Sequence, residues 1–157
     1  MPDISIGVPH YPQSNPGACL PACVRMVLAV YGKVHSERQI AVWLESYEFG
    51  TPAYHVEKLR RFGYSVDYRV SSLADLRQAL QKGIVPIVFV HAGFLPWTDF
   101  EGFHAVVVSG ITEVEGEISL RLNDPSMLTG GQVLLFDGFM LVWEEFDRRA
   151  AFITRSK

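Results

Sequence analysis

The chain has 157 residues, 48% of them hydrophobic and 20% charged, with a net charge of −3. That length suits one domain, residues 1–157, with a core that needs no disulfide or metal staple. The mild acidity and the lack of a face-wide run of Lys or Arg argue against nucleic acid or an anionic membrane as partner. The opening stretch MPDISIGVPHYPQ has neither a basic start nor a long apolar core. The longest apolar runs, IVPIVFV and AVVVSGI, fall far short of a bilayer span, so the expected location is the cytoplasm. In that reducing compartment the only two cysteines, Cys19 and Cys23, are expected as thiols.

In chain order, helices come first. After a Pro- and Gly-rich lead, PACVRMVLAVYG has Pro21 where a first helical turn tolerates it and Gly32 where a helix stops. SERQIAVWLESY opens with Ser36 and Gln39 at capping-box spacing, and Ile40, Trp43, Leu44 and Tyr47 make one helical stripe. TPAYHVEKLRRFG starts at Thr51 and Pro52 and stops at Gly63, with Val56, Leu59 and Phe62 expected inward; its EKLRR run is expected as a solvated face. YSVDYRV is a short strand. SSLADLRQALQKG is a helix capped by Ser72, stopped by Gly83 and striped by Leu73, Leu76 and Leu80.

Strands dominate the second half. IVPIVFVHA is β-branched, and Pro86 marks an edge or the strand's beginning. HAVVVSGIT is apolar on both faces and is expected to be covered on both. EISLRLND alternates, with Ile118, Leu120, Leu122 and Asp124 on one side and Glu117, Ser119, Arg121 and Asn123 on the other. QVLLFD and AAFITR are further strands, and GFMLVWEEF is a short helix capped by Asp137. Helices followed by an antiparallel sheet make an α+β fold.

Cys19 precedes Pro21 in the first turn of the first long helix. Unpaired backbone N–H groups and the positive end of the helix dipole favour a thiolate there, the reactive form of cysteine. The bland alternative is a small buried residue, which is the reading for Cys23, flanked by Val24, Val27 and Leu28. A bridge between two cysteines within one helix turn would be strained, and no neighbouring Cys or His pair completes a tetrahedral zinc set. No cofactor is called for.

A nucleophilic cysteine needs a base. Of five histidines, His104 begins a buried strand, and pairing about a Glu115-Gly116 turn brings it within two or three positions of Asp124 on the next strand. A carboxylate on an inward face is costly without a partner, and an imidazolium N–H is a fitting one. The alternatives are a core histidine bonded to a carbonyl and an aspartate capping the turn at Pro125. Asn123 takes the acid's place only if the register slips by one. Gln13, six residues before Cys19, places an amide N–H where it can meet an oxyanion; otherwise it is a loop glutamine. His10, His35 and His55 read as surface or partly packed residues. His91 ends a strand and is more readily a structural histidine than a substrate contact. The loop at residues 92–103 carries Phe94, Trp97 and Phe100, and either gates the cleft or grips a peptide, or else packs on the core.

VPHYPQSNPGACLPACVRMVLAVYG resembles the opening of the C39-like branch of papain-fold cysteine peptidases, where V-P-x-x-x-Q leads to C-G-P-A-C and an apolar helix ending in Tyr-Gly. KGIVPIVFV, HAVVVSGI, LNDP and VLLFDGFMLVW resemble the later blocks in the same order. The resemblance implies a papain-like fold, with Cys19 as nucleophile, His104 as base, Asp124 as orienting acid and Gln13 as oxyanion donor. It implies a peptide or protein substrate, no cofactor, and amide cleavage through a thioester. One departure is Leu20, where the family has Gly; it is expected to narrow the cleft, to alter specificity, or to mark a lineage drifted from proteolysis, and it is the one feature that favours a binding module. An acyltransferase using the same thioester, or a peptide-binding module without turnover, are the competing expectations.

Overall fold

The computed structural model describes residues 3–156. Its centre is a seven-stranded antiparallel sheet: β1 (Ile4–Ser5), β2 (Tyr64–Val70), β3 (Ile87–His91), β4 (Phe103–Val114), β5 (Glu117–Asn123), β6 (Gln132–Leu135) and β7 (Arg149–Arg155). The order across the sheet is β2-β7-β3-β4-β5-β6, and β1 pairs with the far half of β4. Helices α1 (Cys19–Val30) and α2 (Glu37–Trp43) and a 3-10 helix (Ala53–Phe62) cover one face. Helices α3 (Leu73–Gln81) and α4 (Phe136–Glu144) cover the other.

Pleat alternation divides the core accordingly. Ala105 and Val107 of β4, Ile87 and Phe89 of β3, and Ala151 and Ile153 of β7 meet Val24, Val27 and Leu28 of α1. Val106, Val108, Leu120 and Leu122 meet Phe139 and Trp143 of α4, whose rings lie 5.1 Å apart. In β4 the pairing slips between Val108 and Gly110, leaving Ser109 as an extra residue. Such a bulge reverses the pleat phase, so Ile111 joins Val106 and Val108 on one face. β1 then docks at Gly110, where any Cβ would come 3.0 Å from the Ile4 carbonyl.

Local signals account for most boundaries. Ser36 Oγ accepts the Gln39 amide at 3.1 Å, and Ser72 with Asp75 forms a reciprocal capping box. Gly32, Gly63 and Gly83 close their helices with positive φ. Glu115 and Gly116, both at positive φ, make the two-residue turn between β4 and β5.

Several expectations need correction. The segment with Val56, Leu59 and Phe62 is a 3-10 helix, in which residues three apart stack in register. Val56 and Leu59 are buried, whereas Phe62 is partly exposed and stacks on Trp43. Tyr47 leaves the α2 stripe and is 53% exposed, because Glu45 turns left-handed and ends the helix. Leu135 is the N-cap residue of α4, and Asp137 lies inside its first turn, where its charge still suits the dipole. β3 begins just after Pro86 but runs between β7 and β4, so it is a central strand. β1 was not anticipated. The EKLRR face is solvated, with Lys58 and Glu45 paired at 2.9 Å.

Asn123 joins three segments. Its Nδ2 donates to the Val8 carbonyl at 3.3 Å and its Oδ1 accepts the Gly131 amide at 3.1 Å. It is buried, so removing it takes the Asn123 donor from the Val8 carbonyl and leaves a void, while the Gly131 amide keeps only its bond to the Leu122 carbonyl at 2.9 Å. Asn123→Ala is expected to destabilise the protein by about 2 kcal/mol, read as a lower urea midpoint. An unchanged midpoint would show that the lead and the β5–β6 connection are held by other contacts.

Candidate active site

The approach to Cys19 is fixed before the helix begins. Asn15 Oδ1 accepts the Gly17 amide at 3.0 Å, and the Asn15 carbonyl accepts the Ala18 amide at 3.1 Å. Glu37, in the first turn of α2, takes both the amide and the hydroxyl of Ser14. Gly17 is pressed against the turn at residues 48–50, where a Cβ would meet the Glu48 carbonyl at 2.3 Å. The Gln13 amide donates to the Pro125 carbonyl at 2.7 Å, tying this loop to the residue after Asp124.

α1 starts at Cys19 with Ala18 as N-cap and no side-chain cap. The Cys19 and Leu20 N–H groups thus have no acceptor carbonyl within their own helix. Cys19 is 6% exposed and Cys23 fully buried; both are free thiols. Cys23 Sγ donates to the Ala105 carbonyl at 3.3 Å, which puts Cys19, one turn earlier, level with the start of β4. Burial raises the Cys23 thiol well above its usual value, with the Cys19 and Asp124 charges adding to the effect. Leu20 is 0% exposed and sits in the core under α1, so its side chain takes no space on the open side.

The β4–β5 pairing ends at Val107 and Asn123. One step further sets Asp124 across from Val106, two residues from His104 and on the same side of the pleat. His104 Nε2 meets Asp124 Oδ1 at 2.7 Å, with the two side chains 1% and 0% exposed. The other ring nitrogen is not engaged by Asp124, and the Cys19 side chain is near enough to bear on the charge of the ring. Burial works against a charged ring. The bond to Asp124, and after it the Cys19 sulfur, outweigh burial and push His104 from 6.5 up to about 9. Burial likewise opposes the Asp124 charge, but His104, the Trp97 indole and the Ser126 amide hold its carboxyl below the usual range.

Beside this pair lies a groove of about 760 Å³ whose walls include Gln13, Pro16, Trp97, Phe100 and Met127. It reaches the pair through the Asp124 and His104 neighbours Trp97, Ser126 and Phe100, and Cys19, His104 and Asp124 do not line it. Gln13 Nε2 donates one N–H to the Asn15 carbonyl at 2.8 Å, leaving its second, while Oε1 is buried with no protein partner. Sequence reasoning left the loop of Trp97 and Phe100 evenly between a cleft role and packing on the core, and named no contact of either residue with the pair. Trp97 Nε1–H donates to Asp124 Oδ2 at 2.7 Å, and Phe100 stands edge-on to the His104 ring at 5.0 Å. A contact across 27 residues from an irregular loop leaves no periodic signal in the sequence. His91 is structural: its Nδ1 accepts the Gly93 amide at 3.1 Å and its ring stacks on Phe94. His55 is buried against the Leu44 carbonyl, His35 packs edge-on to Trp43, and His10 bonds the Met127 carbonyl. Among the described residues no group of three or more His, Cys, Asp or Glu is placed to hold a metal ion, and no helix is long and apolar enough to cross a membrane.

A cysteine at the head of a long helix, facing a His–Asp pair at the open end of an antiparallel sheet, defines a papain-like fold. The chain belongs to the Peptidase_C39 like family, whose sequence profile matches residues 5–151. Solved structures agree on the fold. A Bacillus anthracis protein described as a C39-like peptidase superposes with a TM-score of 0.79 over 100% of both chains at 14% identity. The peptidase domain of Streptococcus ComA, a bifunctional ABC transporter of a quorum-sensing pathway, gives 0.72 over 94% of this chain and 98% of that one at 20% identity. A double glycine motif protease from an AMS/PCAT transporter, in complex with its leader peptide, gives 0.64 over 97% and 94% at 22% identity. Among curated protein sequences none matches.

The raised value of His104 has a stability consequence. The folded ring holds its proton above the ordinary 6.5, so the pair's contribution is full below that pH and drains as pH rises through about 9. The depressed Asp124 keeps its own contribution through the weakly acidic range and loses it only as pH falls through its lowered value. The melting temperature of the wild type is expected to fall between pH 6.5 and 9. Asp124→Asn, lower throughout, should show a flatter profile in that window. Parallel profiles for the two proteins would contradict the charged pair.

Proposed function

We propose that this protein is a cysteine peptidase that cleaves a peptide or isopeptide amide through a thioester. The observation that carries the reading is the buried His104–Asp124 pair, whose ring charge is favoured by Asp124 and by the side chain of Cys19 at the start of α1. A ring charged through neutral pH stabilises Cys19 as the thiolate of a thiolate–imidazolium pair. The sulfur adds to the amide carbonyl carbon, and the electron pair moves onto oxygen. The Cys19 backbone N–H and the second N–H of Gln13 hold that oxyanion. The carbonyl re-forms as the C–N bond breaks, and His104 gives its proton to the departing amine. Water then adds to the thioester while His104 takes its proton, the C–S bond breaks, and the acid product leaves with the thiolate restored. Asp124 fixes the ring and holds its charge without accepting the proton.

The substrate is a peptide or protein segment lying in the Trp97–Phe100 groove. Two features support this: the groove beside the His104–Asp124 pair has aromatic walls in Trp97 and Phe100, and a structure of the same fold holds a leader peptide. Leu20, which had favoured a narrowed cleft and a binding module, is core-facing and gives that alternative no support.

The test uses iodoacetamide at pH 6, where a model thiol is almost un-ionised. Cys19 is expected to alkylate at least about tenfold faster than glutathione, and His104→Ala to bring it to the model rate. On any peptide the wild type cleaves, Cys19→Ala should abolish turnover and His104→Ala should cost about 10²–10⁴-fold. A Cys19 no more reactive than glutathione would sink the proposal. Retained binding with turnover in neither wild type nor Cys19→Ala would mark a binding module instead.

A further inference from the structure

The carboxylate of Asp124 divides its bonds between its two oxygens. Oδ1 takes His104 Nε2 at 2.7 Å together with the amide and hydroxyl of Ser126, each at 2.8 Å. Oδ2 takes the indole N–H of Trp97 at 2.7 Å. The residue is fully buried, so a carboxylate oxygen that lost this donor would have no water to replace it. The Ser126 bonds fix the height of Oδ1 at the turn. The Trp97 bond resists rotation about the Asp124 side chain, which would carry Oδ1 away from the ring.

Trp97 is itself held. Within residues 92–103 the Ala92 amide donates to the Gly102 carbonyl at 2.8 Å, and the Leu95 amide to the Ala92 carbonyl at 3.0 Å. The Thr98 hydroxyl turns back onto the Ala92 carbonyl. The same loop sends Phe100 edge-on to His104 and forms one wall of the groove with Pro96, Trp97 and Phe100. One loop therefore touches both members of the pair and the space a peptide would fill.

We propose that Trp97 is a positioning residue, whose indole N–H locks the Asp124 carboxylate in the orientation His104 needs while its ring forms the groove wall. The role rests on the peptidase reading. A substrate that presses on the wall also presses on the brace of the base, so binding and alignment are mechanically linked. The titratable groups that bear on Asp124 are His104 on β4 and Cys23 on α1, and Cys19 on α1 bears on the His104 ring.

The experiment is Trp97→Phe, which keeps an aromatic wall and removes the donor. Its iodoacetamide reaction at Cys19 is expected to have an acid limb displaced to higher pH, because the carboxylate loses a bond that favours its charged form. The rate at pH 6 should fall about tenfold, and kcat on a cleaved peptide should fall with it. An unmoved acid limb with a change in KM alone would make Trp97 a wall and nothing more, and would overturn the proposal. A second measurement needs neither the variant nor a reactive sulfur. In the wild type, the indole N–H resonance of Trp97, one of three tryptophans, should shift with the same midpoint as the His104 ring, near 9. An indole signal indifferent to that titration would overturn the brace even if the variant failed to fold. An unreactive wild-type Cys19 beside a responsive indole would instead count against the peptidase reading and leave the bond standing.

Discussion

A carboxylate sealed from water must be met by donors, and Asp124 is met by four: His104, the amide and hydroxyl of Ser126, and Trp97. Much of the molecule converges on that requirement. β4 and β5 must pair in a register that leaves Asp124 diagonal to His104. The chain must turn at residues 124–127, with the Met127 amide returning to the Asp124 carbonyl at 3.0 Å. The N-terminal lead then fastens onto the same turn through the Gln13 amide on Pro125 and the His10 ring on Met127. The segment leading to Cys19 and the segment carrying the acid are thus one hydrogen-bonded assembly.

The sheet supplies the rest of the geometry by a change of phase. With the extra residue at Ser109, β4 presents Val106 and Val108 to α4 and then returns Ile111 to the same side. Before the bulge the strand belongs to β3 and the site; after it, to β1 and the lead. Gly110 allows the lead to lie close enough to pair, and Asn123 ties Val8 down a few residues later. The approach to Cys19 is anchored at both of its ends by the two strands that carry His104 and Asp124.

How far this was legible depended on the range of each signal. Ser36, Ser72, Gly32 and Gly83 mark helix ends through bonds made within a few residues, and the alternation of EISLRLND declares its two faces without outside help. The distance from His104 to Asp124 could be counted because a two-residue turn at Glu115-Gly116 fixes a hairpin register. Where the controlling contact was distant, reading failed. Val56, Leu59 and Phe62 lie three apart, a spacing that an α-helix and a 3-10 helix share. β1 is two residues long and exists only because β4 offers it an edge. Trp97 was visible as an aromatic in a loop, but its bond to Asp124 depends on a fold that no local pattern encodes. Leu20 looked like an obstruction because its position was read from a motif; the direction of its side chain is set by the packing of α1 on the sheet.

The contrast between the two sulfurs gives the molecule a built-in counter. Cys23 is enclosed under α1 with its thiol bonded to the Ala105 carbonyl, and Cys19 alone retains an edge toward solvent. A chromogenic disulfide reagent added to folded protein therefore registers a single equivalent per chain. The second equivalent becomes available only when α1 lifts from β4, so one colour change counts sites and the next reports the opening of the core.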